Sequence, residues 1–372
     1  MAIEAAKRIE GSADAWLSLL EGVPSSAKKL ASWLRSLIDA ISSSEAARLV
    51  LYEANPSKLI VPLDAEKPRL SMGVDSSVAG PFKIASRSLV LASTGLVVLE
   101  GDRLVDKRSH ISLEVGLEDS DHRLAMFREE LRALEWVLEN AWSREGSPLV
   151  FLDGPIVDPP YIAGGEVGAY RDYFEERARL VSEILGRGGI VVGVVKRIES
   201  RILATKLESM GLRLPSGVDD KLLASIVFHA WLAPLLDYVA GPSEDMIPAT
   251  RPIELGGEPY SFFLERGVRV YSIYAILGLR KTRRLVRIDV ATPRTATSAR
   301  EAVWRSIVYA YALTPPGQGI PLPVILAHEL CTIRSREARK IFARMLSAFV
   351  ASGREAGRIE PIIYDILGSE GG

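Results

Sequence analysis

Hydrophobic and polar positions change period twice along the chain. Residues 1 to about 54 carry apolar residues at three-to-four spacing, in Ala13-Asp14-Ala15-Trp16-Leu17 and again from Lys28 to Ile41, which predicts amphipathic helices broken at Pro24-Ser25-Ser26. Asn55-Pro56 and Pro62 mark a linker. From Leu70 the pattern turns to strands: Leu70–Val78, Ile84–Ala92 and Leu96–Glu100, with Ser93-Thr94-Gly95 as a tight turn, and a weaker strand over His110–Val115. A long helix over Asp121–Trp142 presents Phe127, Leu131, Leu134 and Leu138 on one face, with Asp121 as its N-cap. Leu149–Asp153 is a buried strand, Tyr170–Leu185 a helix ending at Gly186, and Ile190–Val195 another continuously apolar strand. Beyond it come helices over Ile198–Met210 and Asp219–Leu232. A strand pair follows over Val268–Leu277 and Leu285–Ala291. A helix over Ser298–Leu313 and a helical region from His328 to Val350 end the series.

Three meandering strands followed by helix, strand, helix, strand is the order of the ribonuclease H-like fold, an α/β class with a mixed sheet. We therefore expect an N-terminal helical segment, 1–54, and a domain over 55–372 that carries this core and helical insertions.

Composition narrows the setting. The 372 residues are 48% apolar, enough for a large core, and hold a single cysteine, Cys331. One cysteine excludes an internal disulfide and a Cys-ligated zinc site, and points to a reducing, cytoplasmic setting. The first 20 residues mix charges among the apolar positions, unlike a signal peptide, and no run is long enough to span a membrane. The net charge of −1 is unevenly spread. Between Arg280 and Arg305 there are eight Lys or Arg against two acids, including Arg280, Lys281, Arg283 and Arg284. Between Arg334 and Arg344 there are five against one. Such clusters are solvated faces or a phosphate-binding track.

Two apolar strands end in a carboxylate: Gly73-Val74-Asp75-Ser76-Ser77 and Leu149-Val150-Phe151-Leu152-Asp153-Gly154-Pro155. Side by side in one sheet they would hold a hard cation such as Mg²⁺ or Mn²⁺; singly, each Asp would merely cap a turn. Lys196-Arg197 closes the strand Ile190–Val195, either to hold a phosphate or as an ordinary solvated strand end. His328 follows Val324–Ala327 and is open to a ligand, general-base or helix-start role. His110 and His122 read as exposed and His229 as a core residue. HExxH, GxxxxGK[ST] and GxSxG motifs do not occur, which removes support for zinc protease, P-loop ATPase and α/β-hydrolase readings. Three glutamates lie on the long helix. The stripe Phe127, Leu131, Leu134, Leu138 puts Glu129 on the solvent side and Glu130 and Glu135 on its borders. Glu135 is the more inward, so it is expected to complete the acid set, with Glu130 in reserve.

Gly-Val-Asp-Ser-Ser, Leu-Asp-Gly-Pro, Val-Val-Gly-Val-Val-Lys and Pro-Leu-Pro-Val-Ile-Leu-Ala-His, in this order over roughly residues 70–350, resemble the archaeal NurA nucleases. The resemblance implies a metal-dependent DNA nuclease, preferring manganese and using two ions. It would cut single strands internally and degrade 5′ to 3′, as a homodimer working with the hexameric ATPase HerA in DNA end resection. By position it makes Asp75, Asp153, His328 and a helix glutamate site residues. Ser76 stands where the family usually has Gly, and Ile320 where it often has Tyr. A ribonuclease H-like enzyme acting on RNA or an RNA–DNA hybrid, and a non-catalytic helicase scaffold, are the alternative readings.

Overall fold

The computed structural model describes residues 25–50, 68–84, 87–117, 122–140, 147–158, 167–228, 247, 249–278, 284–295 and 299–355. The chain forms two compact units, residues 1–53 with 199–243 and residues 54–198 with 244–372. Residues 199–243, expected within the larger domain, thus group with the N-terminal segment. In the smaller unit lie α1 (25–42), α2 (Glu45–Val50), α5 (Ile202–Ser209) and α6 (220–228). There Asp220 accepts hydrogen bonds from the Ala204 amide at 2.9 Å and the Ser200 hydroxyl at 2.7 Å, satisfying polar groups at the start of α5.

The larger unit is built on one eight-stranded sheet in the order β3-β2-β1-β4-β5-β8-β7-β6. Its strands are β1 (Leu70–Ile84), β2 (Arg87–Glu100), β3 (Arg103–Leu117), β4 (Leu149–Leu152), β5 (Ile190–Val195), β6 (Ile253–Glu254), β7 (Val268–Leu277) and β8 (Arg284–Pro293). Strands β1, β2 and β3 pair antiparallel, β4 joins β1 in parallel and β5 joins β4 in parallel. That is the ribonuclease H-like arrangement expected from the element order. Strands β4 and β5 are almost wholly buried, which is why they read as unbroken apolar runs.

One expectation is corrected. Ser93-Thr94-Gly95 is not a turn: β2 runs straight through it, the hairpin turns at Gly101-Asp102, and the weak segment around His110 is the third strand. Gly101, at φ 60°, supplies the left-handed backbone of that turn. The small residues in the middle of β2 serve packing instead.

Helices cover both faces of the sheet. On one side lie α3 (His122–Asn140), α4 (Val167–Gly186) and α7 (Tyr260–Glu265). On the other, α8 (Ala299–Ala312) and α9 (Leu322–Cys331) close an apolar core with Phe151, Val192, Ile288 and Val290. The final helical region is two helices, because the chain leaves helical geometry after Cys331 and restarts as α10 (Ser335–Glu355).

Helix α9 lies very close to the sheet. A Cβ on Gly73 would sit 2.0 Å from the Pro323 carbonyl oxygen, and one on Gly95 would sit 3.0 Å from that of Ala327. The Ser77 hydroxyl donates to the Cys331 carbonyl at 2.6 Å, and Ser93 does the same, so two strands satisfy the C-terminal end of the helix. Gly73→Ala is therefore expected to push α9 off the sheet and to lower unfolding free energy by about 1–3 kcal/mol, as overpacking does. Alanine at Gly101, where nothing lies within 4 Å, is the comparison for backbone strain alone. Denaturant melts of the two variants check this, and equal stability for wild type and Gly73→Ala would show that α9 seats otherwise.

Candidate metal centre

Parallel register determines the centre. Val74 of β1 stands opposite Leu152 of β4, so the next residues, Asp75 and Asp153, meet at one sheet rim. The Asp153 amide donates to the Val74 carbonyl at 2.9 Å and extends the ladder by one bond. Gly154 follows at φ 140°, and the chain turns away over Gly193, where a Cβ would lie 2.6 Å from the Gly154 oxygen. From the opposite direction α9 brings His328. Its Nδ1 lies 2.7 Å from Asp75 Oδ2 and 3.3 Å from Asp153 Oδ2. One donor atom from each of the three residues falls within 4.8 Å of the other two.

Asp75 is 6% exposed. Its Oδ1 accepts from the Ser76 amide at 2.7 Å and its Oδ2 from the Cys331 thiol at 3.2 Å. Burial, and then the neighbouring Asp153, push its pKa up to about 8 despite these two bonds. The same burial, with Asp75 alongside, pushes the Cys331 thiol up, so it stays protonated and donates. Lys196, just past β5, forms an ion pair with Asp153, which places it on the rim where the strand order put it. Arg197 beside it is exposed.

The donor set fits a divalent cation. Two carboxylates and an imidazole nitrogen converge from three elements, and Asp153 is close enough to oppose the ionisation of Asp75. Oxygen donors suit Mg²⁺ and Mn²⁺ alike, while an added imidazole suits Mn²⁺ better.

The glutamates are corrected. Glu135 is exposed, whereas Glu129 and Glu130 are 3% and 5% exposed. The inward face of α3 runs through Phe127, Glu130, Leu134 and Val137, with Ala125 and Ala133 beside it. Leu131 and Leu138 are only half-buried, so the stripe they form with Phe127 and Leu134 lies to one side of the buried face. Glu129 is held by His110 Nδ1 at 2.8 Å and Arg132 Nη1 at 2.6 Å, so His110 is a paired residue, not a free surface one. Glu130 carries a charge that bears on Asp75 and is gripped by the buried Arg177. Sequence reasoning passed over Arg177 and Cys331. The signals were there: Arg177 interrupts the apolar face formed by Tyr173, Phe174, Val181 and Ile184, and Cys331 lies one helical turn past His328.

Ile320 is buried in the apolar core beneath α8 and α9 and brings no hydroxyl. Arg284 is exposed at the start of β8, while Arg280, Lys281, Arg283 and His229 lie outside the described residues. Among the described residues no helix is long and apolar enough to cross a membrane.

The NurA domain model matches residues 66–333, most of the chain and all of the centre just described. The chain belongs to the NurA family. Among solved structures, the NurA nuclease from Sulfolobus solfataricus matches with TM-score 0.55 and 14% identity, covering 90% of this chain and 96% of that one. Endonuclease V from Ciona intestinalis, in complex with DNA containing inosine, matches with TM-score 0.39 and 13% identity, covering 84% of this chain and 99% of that one. No curated protein matches the chain. In this NurA-family chain the two acid motifs, the strand motif ending in Lys196 and the terminal histidine motif all meet at the rim.

The pKa of Asp75 carries a prediction. The folded, chelator-treated chain holds this proton up to about pH 8, while the unfolded chain releases it near 3.8. Between those values the folded state binds more protons, so stability falls as pH rises through the window. Asp75→Asn should flatten that part of the profile and leave the metal-free chain at least as stable at pH 8. Thermal melts from pH 5 to 8.5 measure it, and an identical slope in the variant would contradict it.

Proposed function

We propose that this NurA-family chain is a divalent-metal-dependent DNA nuclease that hydrolyses phosphodiester bonds. The observation that carries the reading is the meeting of Asp75, Asp153 and His328 within 4.8 Å at the end of two parallel strands. The resemblance to the family supports DNA as substrate. The exposed Arg197 and Arg284, together with the cationic stretch of α10, support a phosphate-tracking surface.

Each residue has a definite task. Asp75, Asp153 and His328 would hold the cation, with Glu130, whose charge bears on Asp75, as the candidate fourth donor in place of Glu135. The bound cation supplies Lewis acidity and a site for the attacking water. The parallel ladder fixes Asp75 and Asp153 relative to each other before any ligand arrives, so little reorganisation remains. Cys331 and the Ser76 amide fix the rotamer of Asp75 by donating to its two oxygens. His328 Nδ1 shares a hydrogen bond with Asp75 and lies beside Asp153 in the metal-free state, and is the nitrogen that would face the cation. Lys196 neutralises Asp153 in the metal-free state. With a cation held by Asp153, the Lys196 ammonium would be available to bind a non-bridging phosphate oxygen and to steady developing charge there.

The family resemblance extends the proposal to manganese preference, two ions, single-strand endonuclease and 5′–3′ exonuclease activity, a homodimer, and work with a HerA-type ATPase in end resection in the cytoplasm. Calorimetric stoichiometry, end-labelled substrates, sedimentation and co-purification with the ATPase test these parts separately.

Cleavage of linear and single-stranded DNA in Mn²⁺, Mg²⁺ and EDTA tests the core reading. Asp153→Asn is expected to lower the rate by at least ~10³-fold, the scale of losing a principal electrostatic element of such a site. Glu130→Gln should be severely impaired and Glu135→Gln should cleave like wild type. Full activity in Asp153→Asn, or activity in EDTA, would overturn the metal reading. A silent Glu130→Gln beside a dead Glu135→Gln would overturn the assignment of the fourth donor.

A further inference from the structure

Among the described residues Arg177, on α4, and Arg287 are the largest fully buried side chains, and Arg177 has no exposed surface. A buried guanidinium is costly unless every N–H finds an acceptor. Here all five do. Nε donates to the Ile156 carbonyl at 2.5 Å and Nη1 to the Tyr173 hydroxyl at 2.8 Å. Nη2 donates to the Pro155 carbonyl at 3.2 Å and to Glu130 Oε1 at 3.1 Å, while Nη1 also lies 3.0 Å from Glu130 Oε2.

These acceptors lie on two segments beside the centre. Glu130 is on α3. Pro155 and Ile156 are the second and third residues past Asp153, on the loop that leaves β4. One rigid fork thus fixes both oxygens of the α3 carboxylate and the main chain that carries Asp153. We propose that Arg177 is a positioning residue of the cation centre, acting through Glu130 and the loop after Asp153. The proposal rests on the reading of that centre as a divalent-cation site.

Sign separates this from plain core packing. A fixed positive charge beside a ligand carboxylate opposes cation binding, so on charge alone its removal would strengthen binding. A positioning role predicts the reverse, because Glu130 loses its orientation and the loop loses two anchors. Lysine keeps the charge but offers three donors from a single point, and it cannot span two carboxylate oxygens and two carbonyls. Partners that orient metal ligands are typically worth about 10- to 100-fold in affinity.

The test is Mn²⁺ binding to the intact chain by titration calorimetry, with no DNA and no turnover, alongside circular dichroism. Arg177→Lys is expected to retain the fold and bind Mn²⁺ about 10- to 100-fold more weakly. Glu130→Gln should be weakened too, and Arg177→Lys combined with Glu130→Gln should be little weaker than Glu130→Gln alone. Unchanged Mn²⁺ affinity in a folded Arg177→Lys, or fully additive losses in the double variant, would overturn the role through Glu130. If Arg177→Lys does not fold, Tyr173→Phe decides. It removes one acceptor of the fork and should cost roughly 2- to 10-fold in affinity, the scale of one hydrogen bond; wild-type affinity there would overturn the proposal. Failure of the cation reading itself looks different: wild type would then bind no Mn²⁺, or Asp75→Asn would bind it as well as wild type does.

Discussion

Two carboxylates held side by side by a parallel strand pair are the constraint around which the larger unit is arranged. The register that aligns Val74 with Leu152 leaves Asp75 and Asp153 no freedom to separate. Burial then makes their joint ionisation unfavourable, which is what the raised pKa of Asp75 expresses. The surroundings offset this strain without removing it. The Ser76 amide and the Cys331 thiol donate to Asp75, Lys196 pairs with Asp153, and His328 bridges both. An arrangement that leaves two acids partly compensated is poor as a structural element and well suited to a cation.

The close seat of α9 follows from the same requirement. His328 reaches the acids only because the helix backbone approaches the sheet where Gly73 and Gly95 have no side chain. On the other face a buried polar layer does related work. Arg177 joins Glu130 to the loop behind Asp153, and Arg287 is paired with Asp289, which also accepts from Ser272. Between these pairs burial, with Glu130 adding, pushes Asp158 up to about 7. The helix carboxylate is therefore held from the α4 side and Asp75 from the α9 side.

Much of this was legible in the chain. Apolar runs ending in Asp announced the two strand-end acids, and the change from period 3.6 to period 2 near Leu70 gave the sheet its order. Lys196 fell on the expected rim because β5 is parallel to β4. What escaped reading did so for physical reasons. Ser93-Thr94-Gly95 has the composition of a turn, yet its small side chains exist to admit α9 and to bond the Cys331 carbonyl. The rotation of α3 was misjudged because its inward face is built partly from alanines and a glutamate, and a hydrophobic wheel gives such residues no weight. Arg177 could only be understood with its acceptors in view, since all but one of them lie more than twenty residues upstream.

The central claim is that a divalent cation sits between Asp75, Asp153 and His328. The most direct measurement is a crystal of the chain grown with Mn²⁺ and recorded at the manganese absorption edge. The account predicts an anomalous peak within ~2.0–2.6 Å of oxygens of both aspartates, the range of oxygen ligands on Mg²⁺ and Ca²⁺, with His328 Nδ1 turned onto it. A protein that cleaves DNA under the same conditions while its manganese lies elsewhere, with the two aspartates still held by Lys196 and His328, would contradict it.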